Sequence, residues 1–229
     1  MAAKDGLATA GTRERLIAAA ERLFAEQGMS VSNRQIGEAA GQANNSVISY
    51  HFGTKADLVL AIVRSHAPDI EVRRLKLLAG LAAPVDLGAW LRIVVEPITA
   101  HLDALGTPSW YARFIAQASS NPTLGPLLYA ETLAAPSMRA PFEGVQQFLG
   151  GLPDEVFEER TNMTRYVVVN TCAERERALD LGLATPRASW ADAARGMVDA
   201  LVGLWNAPIT TVESAGTRTR RARVTKAGT

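Results

Sequence analysis

Three glycines, Gly28, Gly41 and Gly53, divide the stretch from Thr12 to His66 into helical pieces, and the two middle pieces are too short to bury a core alone. Apolar residues at Leu16, Ile17, Ala20, Leu23 and Phe24 fall on one face of a helix, with Thr12 as its N-cap and Glu14 in the first turn. Ser32 followed by Gln35 makes a capping box for a helix over 33–40 that buries Ile36, Ala39 and Ala40. Asn44 can cap a third helix over 45–52, and Thr54 with Asp57 opens a fourth through Leu58, Ile62 and Val63. Pro68 should interrupt or kink that fourth helix. Short helices joined by a tight glycine turn form a helix-turn-helix.

The remainder reads as further helices, near 69–81, 85–105, 108–119, 123–133, 138–149, 154–181 and 188–206, with Gly and Pro at the breaks. Val167-Val168-Val169 favours strand locally, but it lies inside a long helical phase and the period decides. No alternating pattern is long enough for a sheet. The expected class is all-α: a flexible N-terminus (1–11), a three-helix helix-turn-helix domain (12–66), a helical ligand-binding and dimerisation domain (67–210) and a disordered basic tail (211–229). A chain that is 48% hydrophobic can bury the core this needs.

Charge is unevenly placed. Residues 67–210 hold 12 Lys/Arg against 16 Asp/Glu, residues 1–66 hold 7 against 6, and the tail holds 5 against 1. Nucleic-acid contact must therefore come from the ends of the chain. The helix over 45–52 carries small polar residues outward (Asn45, Ser46, Ser49) and Val47, Ile48 and Phe52 inward. Short side chains let such a helix approach base edges in a major groove. Tyr50 and His51 offer donors to phosphate, and Lys55 adds charge at the next helix start. Arg34 stands where it can reach a guanine or a phosphate. The expected DNA-binding set is Ser32, Asn33, Arg34, Asn44, Asn45, Ser46, Val47, Ser49, Tyr50, His51 and Lys55.

Residues 12–66 resemble the N-terminal domain of TetR-family regulators. The segments that carry the resemblance are Arg15 to Gly28, Ile36-Gly37-Glu38-Ala39-Ala40-Gly41, and Tyr50-His51-Phe52-Gly53-Thr54-Lys55-Ala56-Asp57-Leu58. The stretch from Gly41 to His51 is one residue longer than the family's commonest spacing. The resemblance implies a helical second domain with an effector pocket and a dimer interface.

That pocket is expected among Trp90, Trp110, Arg113, Phe114, Gln117, Tyr129, Phe142, Tyr166 and Asn170, on helices 85–149 with help from 154–181. Arg113 is the expected polar anchor. The dimer interface is expected on Trp190, Ala193, Gly196, Met197, Ala200, Leu201, Gly203 and Leu204, where an apolar stripe runs beside a stripe of small residues. His66 and His101 read as structural or surface residues. No metal and no cofactor is expected, because three His and one Cys lack chelating spacing. No catalytic constellation appears, so an enzyme is not expected. With no apolar leader, no run of about 18 apolar residues and a single cysteine, the expectation is a cytoplasmic protein without membrane contact. The expected partners are palindromic double-stranded DNA, a small-molecule effector and a second copy of the chain. Repression is the first expectation for its action, with activation or effector-independent binding as the alternative.

Overall fold

The computed structural model describes residues 2–44 and 46–210, with side chains from residue 11 onward. Its elements are α1 (Ala2–Gln27), α2 (Asn33–Ala39), α3 (Val47–Phe52), α4 (Lys55–Ala79), α5 (Leu87–Leu105), α6 (Tyr111–Ser119), α7 (Leu124–Leu133), α8 (Arg139–Phe148), α9 (Asp154–Asp180) and α10 (Trp190–Asn206). A 3₁₀ turn, Pro136–Met138, leads into α8. No strand occurs among the described residues. The expected disordered tail, 211–229, lies outside them.

Local signals explain the helix starts. Ser32 and Thr54 each close a capping box, with Gln35 and Asp57 respectively. Asp86 and Ser189 accept from the third backbone N–H of α5 and α10. Gly41 and Gly53 stop α2 and α3 at φ of +71° and +80°, where a Cβ would be strained. Two starts in the head differ from expectation: α3 begins at Val47 behind Ser46, which makes no side-chain cap, rather than at 45 behind Asn44, and the start of α1 moves as well. From Ala2 onward the segment taken as flexible is continuous with α1. Its alanines favour helix, and Thr12 sits inside the helix, accepting from Arg15 Nη2 at 3.1 Å.

The head packs Leu16, Ala20 and Phe24 of α1 against Ile36 of α2, Ile48 of α3, and Leu58 and Ile62 of α4. Gly37 rather than Ala39 faces inward from α2. α4 then runs unbroken through Pro68 into the second domain, crossing the boundary placed at 66/67. The proline removes one backbone hydrogen bond. The helix is held on both sides of it, by Ile62 and Val63 in the head and by Ile70 and Arg74 beyond. Phe24 of α1 stacks on Phe114 of α6 with ring centroids 6.2 Å apart, so the head rests directly on the second domain.

The apolar stripe of α10 corrects the expected dimer surface. Trp190, Ala193, Met197 and Leu201 are buried within the chain itself, and Leu204 packs on the same core. α10 lies mainly against α5, which takes the large residues before any partner can. What α10 leaves outside is the small stripe. Ala200 and Gly203 are exposed, a Cβ at Gly203 would meet nothing within 4 Å, and Gly196 is half covered by the Arg187 guanidinium.

Candidate functional site

The outward face of the head is built from α2, α3 and the turn between them. Val47 and Ile48 are buried, which turns Ser46, Ser49 and Tyr50 to the outside; Tyr50 is 81% exposed. Asn44 Oδ1 accepts from the Ser46 backbone N–H at 2.9 Å and closes the turn before α3. Arg34, Asn33 and Ser32 flank this face from the start of α2. The Arg34 side chain is 68% exposed, and its only ion pair among the described residues is with Glu38 at 3.7 Å. His51 is half-buried, edge-on to Tyr50. Asn45 lies outside the described residues.

Two expected DNA contacts are corrected. Val47 is buried, with its Cγ1 3.5 Å from where a Cβ on Gly37 would stand, and it joins α2 to α3. Lys55 points inward. Its Nζ donates to the backbone carbonyls of Met29 (2.5 Å) and Val31 (2.7 Å) and lies 5.2 Å from the centre of the Phe24 ring. Burial holds its pKa below the ordinary lysine value. The ammonium thus ties the turn after α1 to the start of α4 instead of standing free for a phosphate.

Behind the head, α1, α4, α5 and α6 meet at a chain of polar groups. Glu21 of α1 lies 2.9 Å from His66 Nε2, His66 Nδ1 lies 2.8 Å from His101 Nε2, and His101 Nδ1 lies 2.7 Å from Asp69. Burial pushes His101 below the ordinary histidine value. Tyr111 of α6 stacks on the His66 ring at 3.9 Å. Burial raises the Tyr111 phenol, so it stays neutral.

Tyr111 also forms part of the wall of a cavity of about 510 Å3 between α4, α5, α6, α7, α8 and α9, with Trp205 of α10 at its edge. Tyr129 and Phe142, both expected in the pocket, line it. The other expected residues do not. Trp90 packs under Gly144, where its ring would stand 2.2 Å from a Cβ. Phe114 is fully buried against Phe24, and Trp110 and Gln117 lie outside the lining. Tyr166 is exposed, and its carbonyl accepts from Asn170. Arg113 is not an anchor. It donates to Glu176 at 3.2 Å and pairs with Asp180 at 3.1 Å. Glu176 also accepts from Ser109 Oγ and from the backbone N–H groups of Ala112 and Arg113, so it serves the start of α6.

The lining adds residues that sequence reasoning missed. Glu71 and Arg74 come from α4, in the part expected as a separate helix near 69–81, and Thr161 and Arg165 come from one face of α9. The i, i+4 spacing of a threonine and an arginine was the available signal for the second pair. Cys172 is buried, and burial pushes its thiol up to about 12, outside the range of a reactive thiolate. Among the described residues no group of three His, Cys, Asp or Glu could hold a metal ion, and no helix is long and apolar enough to cross a membrane.

Residues 16–62 match the family model for bacterial regulatory proteins of the tetR family. The HTH-type transcriptional dual regulator CecR of Shigella flexneri is 49% identical over 49 residues. That match covers 21% of this chain and 22% of that protein, so the likeness spans about a fifth of the relative's length.

Proposed function

We propose, for a chain whose N-terminal domain belongs to the TetR family of bacterial regulators, that it binds a DNA operator in the cytoplasm as a two-fold dimer and is released from it by a small molecule entering the cavity beside α4. The carrying observation is Tyr111. Tyr111 lines the cavity, and its ring stacks on His66, which is bonded to Glu21 on α1 of the head. A ligand that shifts Tyr111 shifts the seat of the head, and a coupling of about 1–3 kcal/mol then suffices for regulation.

Arg34, Ser46, Ser49 and Tyr50 form the DNA-facing surface in this reading, with Ser32, Asn33, Asn44 and His51 at its edge. A six-residue helix reads few base pairs, so two copies reading half-sites about 34–36 Å apart supply the specificity. The exposed small stripe of α10 at Ala200 and Gly203 suits the close approach of a partner helix.

Mobility of the full chain with its own upstream DNA tests the reading. A footprint with two protected half-sites on one face of the duplex is expected, as is a dimer by light scattering. Gly203→Arg should yield a folded monomer that no longer binds the operator. A monomeric wild type, or binding indifferent to sequence, would sink the proposal. The similar protein is a dual regulator, which favours activation as the second reading; transcription measured with and without the protein decides the sign.

A further inference from the structure

The cavity is apolar over most of its wall, with Leu91, Ile98, Leu128 and Phe157 among its residues. Its charges are the informative part. Three arginines and two glutamates line it: Arg64, Arg74, Arg165, Glu71 and Glu131. Arg64 donates to both oxygens of Glu131 at 2.7 and 2.8 Å. Arg74, only 6% exposed, is paired with Glu71 at 3.3 Å, and Ser137 joins the two at 3.0 and 2.5 Å. Both glutamates are thus consumed by arginines. Arg165 has no carboxylate within ion-pair distance among the described residues; its guanidinium lies 4.4 Å from the centre of the Tyr166 ring and 5.8 Å from that of Tyr129. Its Nε is buried without a hydrogen-bond partner, as are Thr161 Oγ1 one turn before it and Arg74 Nε.

A half-open, largely apolar chamber in which one guanidinium has no carboxylate partner, and in which Arg165 Nε and Thr161 Oγ1 are buried without a hydrogen bond, leaves polar groups that a ligand with matching acceptors would satisfy. A cationic ligand would find no free carboxylate. A purely apolar one would leave Arg165 Nε and Thr161 Oγ1 unpaired. We infer that the cavity takes an amphipathic monoanion, a carboxylate-bearing molecule with an apolar body. Its head lies against Arg165 and Thr161, and its body lies among Leu91, Ile98, Leu128 and Phe157. This deepens the effector reading above and rests on it. The planar guanidinium matches a carboxylate in two places at once, which a neutral oxygen does not.

Two dyes of similar bulk separate the possibilities: 1-anilinonaphthalene-8-sulfonate, apolar with one negative charge, and Nile red, apolar and neutral. Fluorescence titration of the full-length protein should show both binding. Val94→Trp, which fills the chamber from α5, should abolish both; a dye that still binds that variant sits elsewhere, and its signal overturns the assignment. Arg165→Met, checked for fold by circular dichroism, should weaken the anionic dye about tenfold or more and leave Nile red unchanged. Arg165→Lys should recover part of the loss. Dodecanoate should then displace the anionic dye better than dodecanol from the wild type and no better from Arg165→Met. Equal loss of both dyes in Arg165→Met, or no loss of either, overturns charge selection while leaving the effector cavity standing. A wild type that binds neither dye removes the effector reading itself.

Discussion

In the head, polar side chains bond to near neighbours: Ser32 with Gln35, Ser46 with Asn44, Thr54 with Asp57. Behind it the buried polar groups reach across the chain. Arg74 meets Ser137, Arg113 meets Glu176 and Arg160 closes on the carbonyls of Trp205 and Ala207, all buried or half-buried and more than 40 residues apart in sequence. The head therefore keeps most of its charges at the surface, Lys55 and Glu21 excepted. In the second domain Arg74 and Arg113 pair with carboxylates, Arg160 and Arg175 bond to backbone carbonyls, and Arg165 has neither among the described residues. A surface that reads DNA must hold its donors in water until DNA arrives, whereas a chamber that discriminates ligands must desolvate its charges beforehand.

The contrast is broken most severely at Glu176, which is 2% exposed. Glu176→Leu leaves Arg113 buried beside Asp180 alone and strips the acceptor from Ser109 and the start of α6. A loss of about 3–5 kcal/mol in urea unfolding is expected. A loss under about 1 kcal/mol would show that the long-range pairings are ornament.

Lys55 is the head's exception, a charge turned inward, and Lys55→Met tests that placement. Leaving the Met29 and Val31 carbonyls unpaired should cost about 1–3 kcal/mol each. The salt dependence of operator binding should stay as in the wild type. A stable variant with a slope reduced by about one phosphate would return Lys55 to the DNA face.

Arg34→Ala sharpens the outer half of the comparison. Its pair with Glu38 is exposed and worth little, so stability should hold. Operator affinity should fall by about 1–3 kcal/mol, concentrated at one base pair if the guanidinium reads a base and spread over all sequences if it holds a phosphate. Unchanged binding would remove Arg34 from the interface.

The smallest effect is expected at the seam. Burial keeps His101 below its ordinary value of 6.5, so the folded protein holds it neutral while the unfolded chain takes up a proton first. The stability this confers is complete above about pH 6.5 and is lost as pH falls through the lower folded value. The melting temperature should decline between pH 8 and pH 5, and decline less in His101→Gln. Parallel declines in both proteins would place the acid sensitivity elsewhere.

Much of this protein was legible in residue order. Ser32 with Gln35, Thr54 with Asp57, and the glycines at 41 and 53 are local devices whose partners stand two to four residues away, so spacing alone placed α2, the start of α4 and the end of α3, while α3 begins two residues later than expected. Periodicity gave the long helices for the same reason. It could not say which way Lys55 turns, because its partners lie 24 and 26 residues back. Nor could it say whether the stripe on α10 meets α5 or a second copy, since both are apolar surfaces that accept the same side chains. Arg113 and Arg165 look alike in sequence. Tertiary structure gave the first two carboxylates and the second none, and a charge declares its purpose only when everything that can neutralise it has been brought within reach.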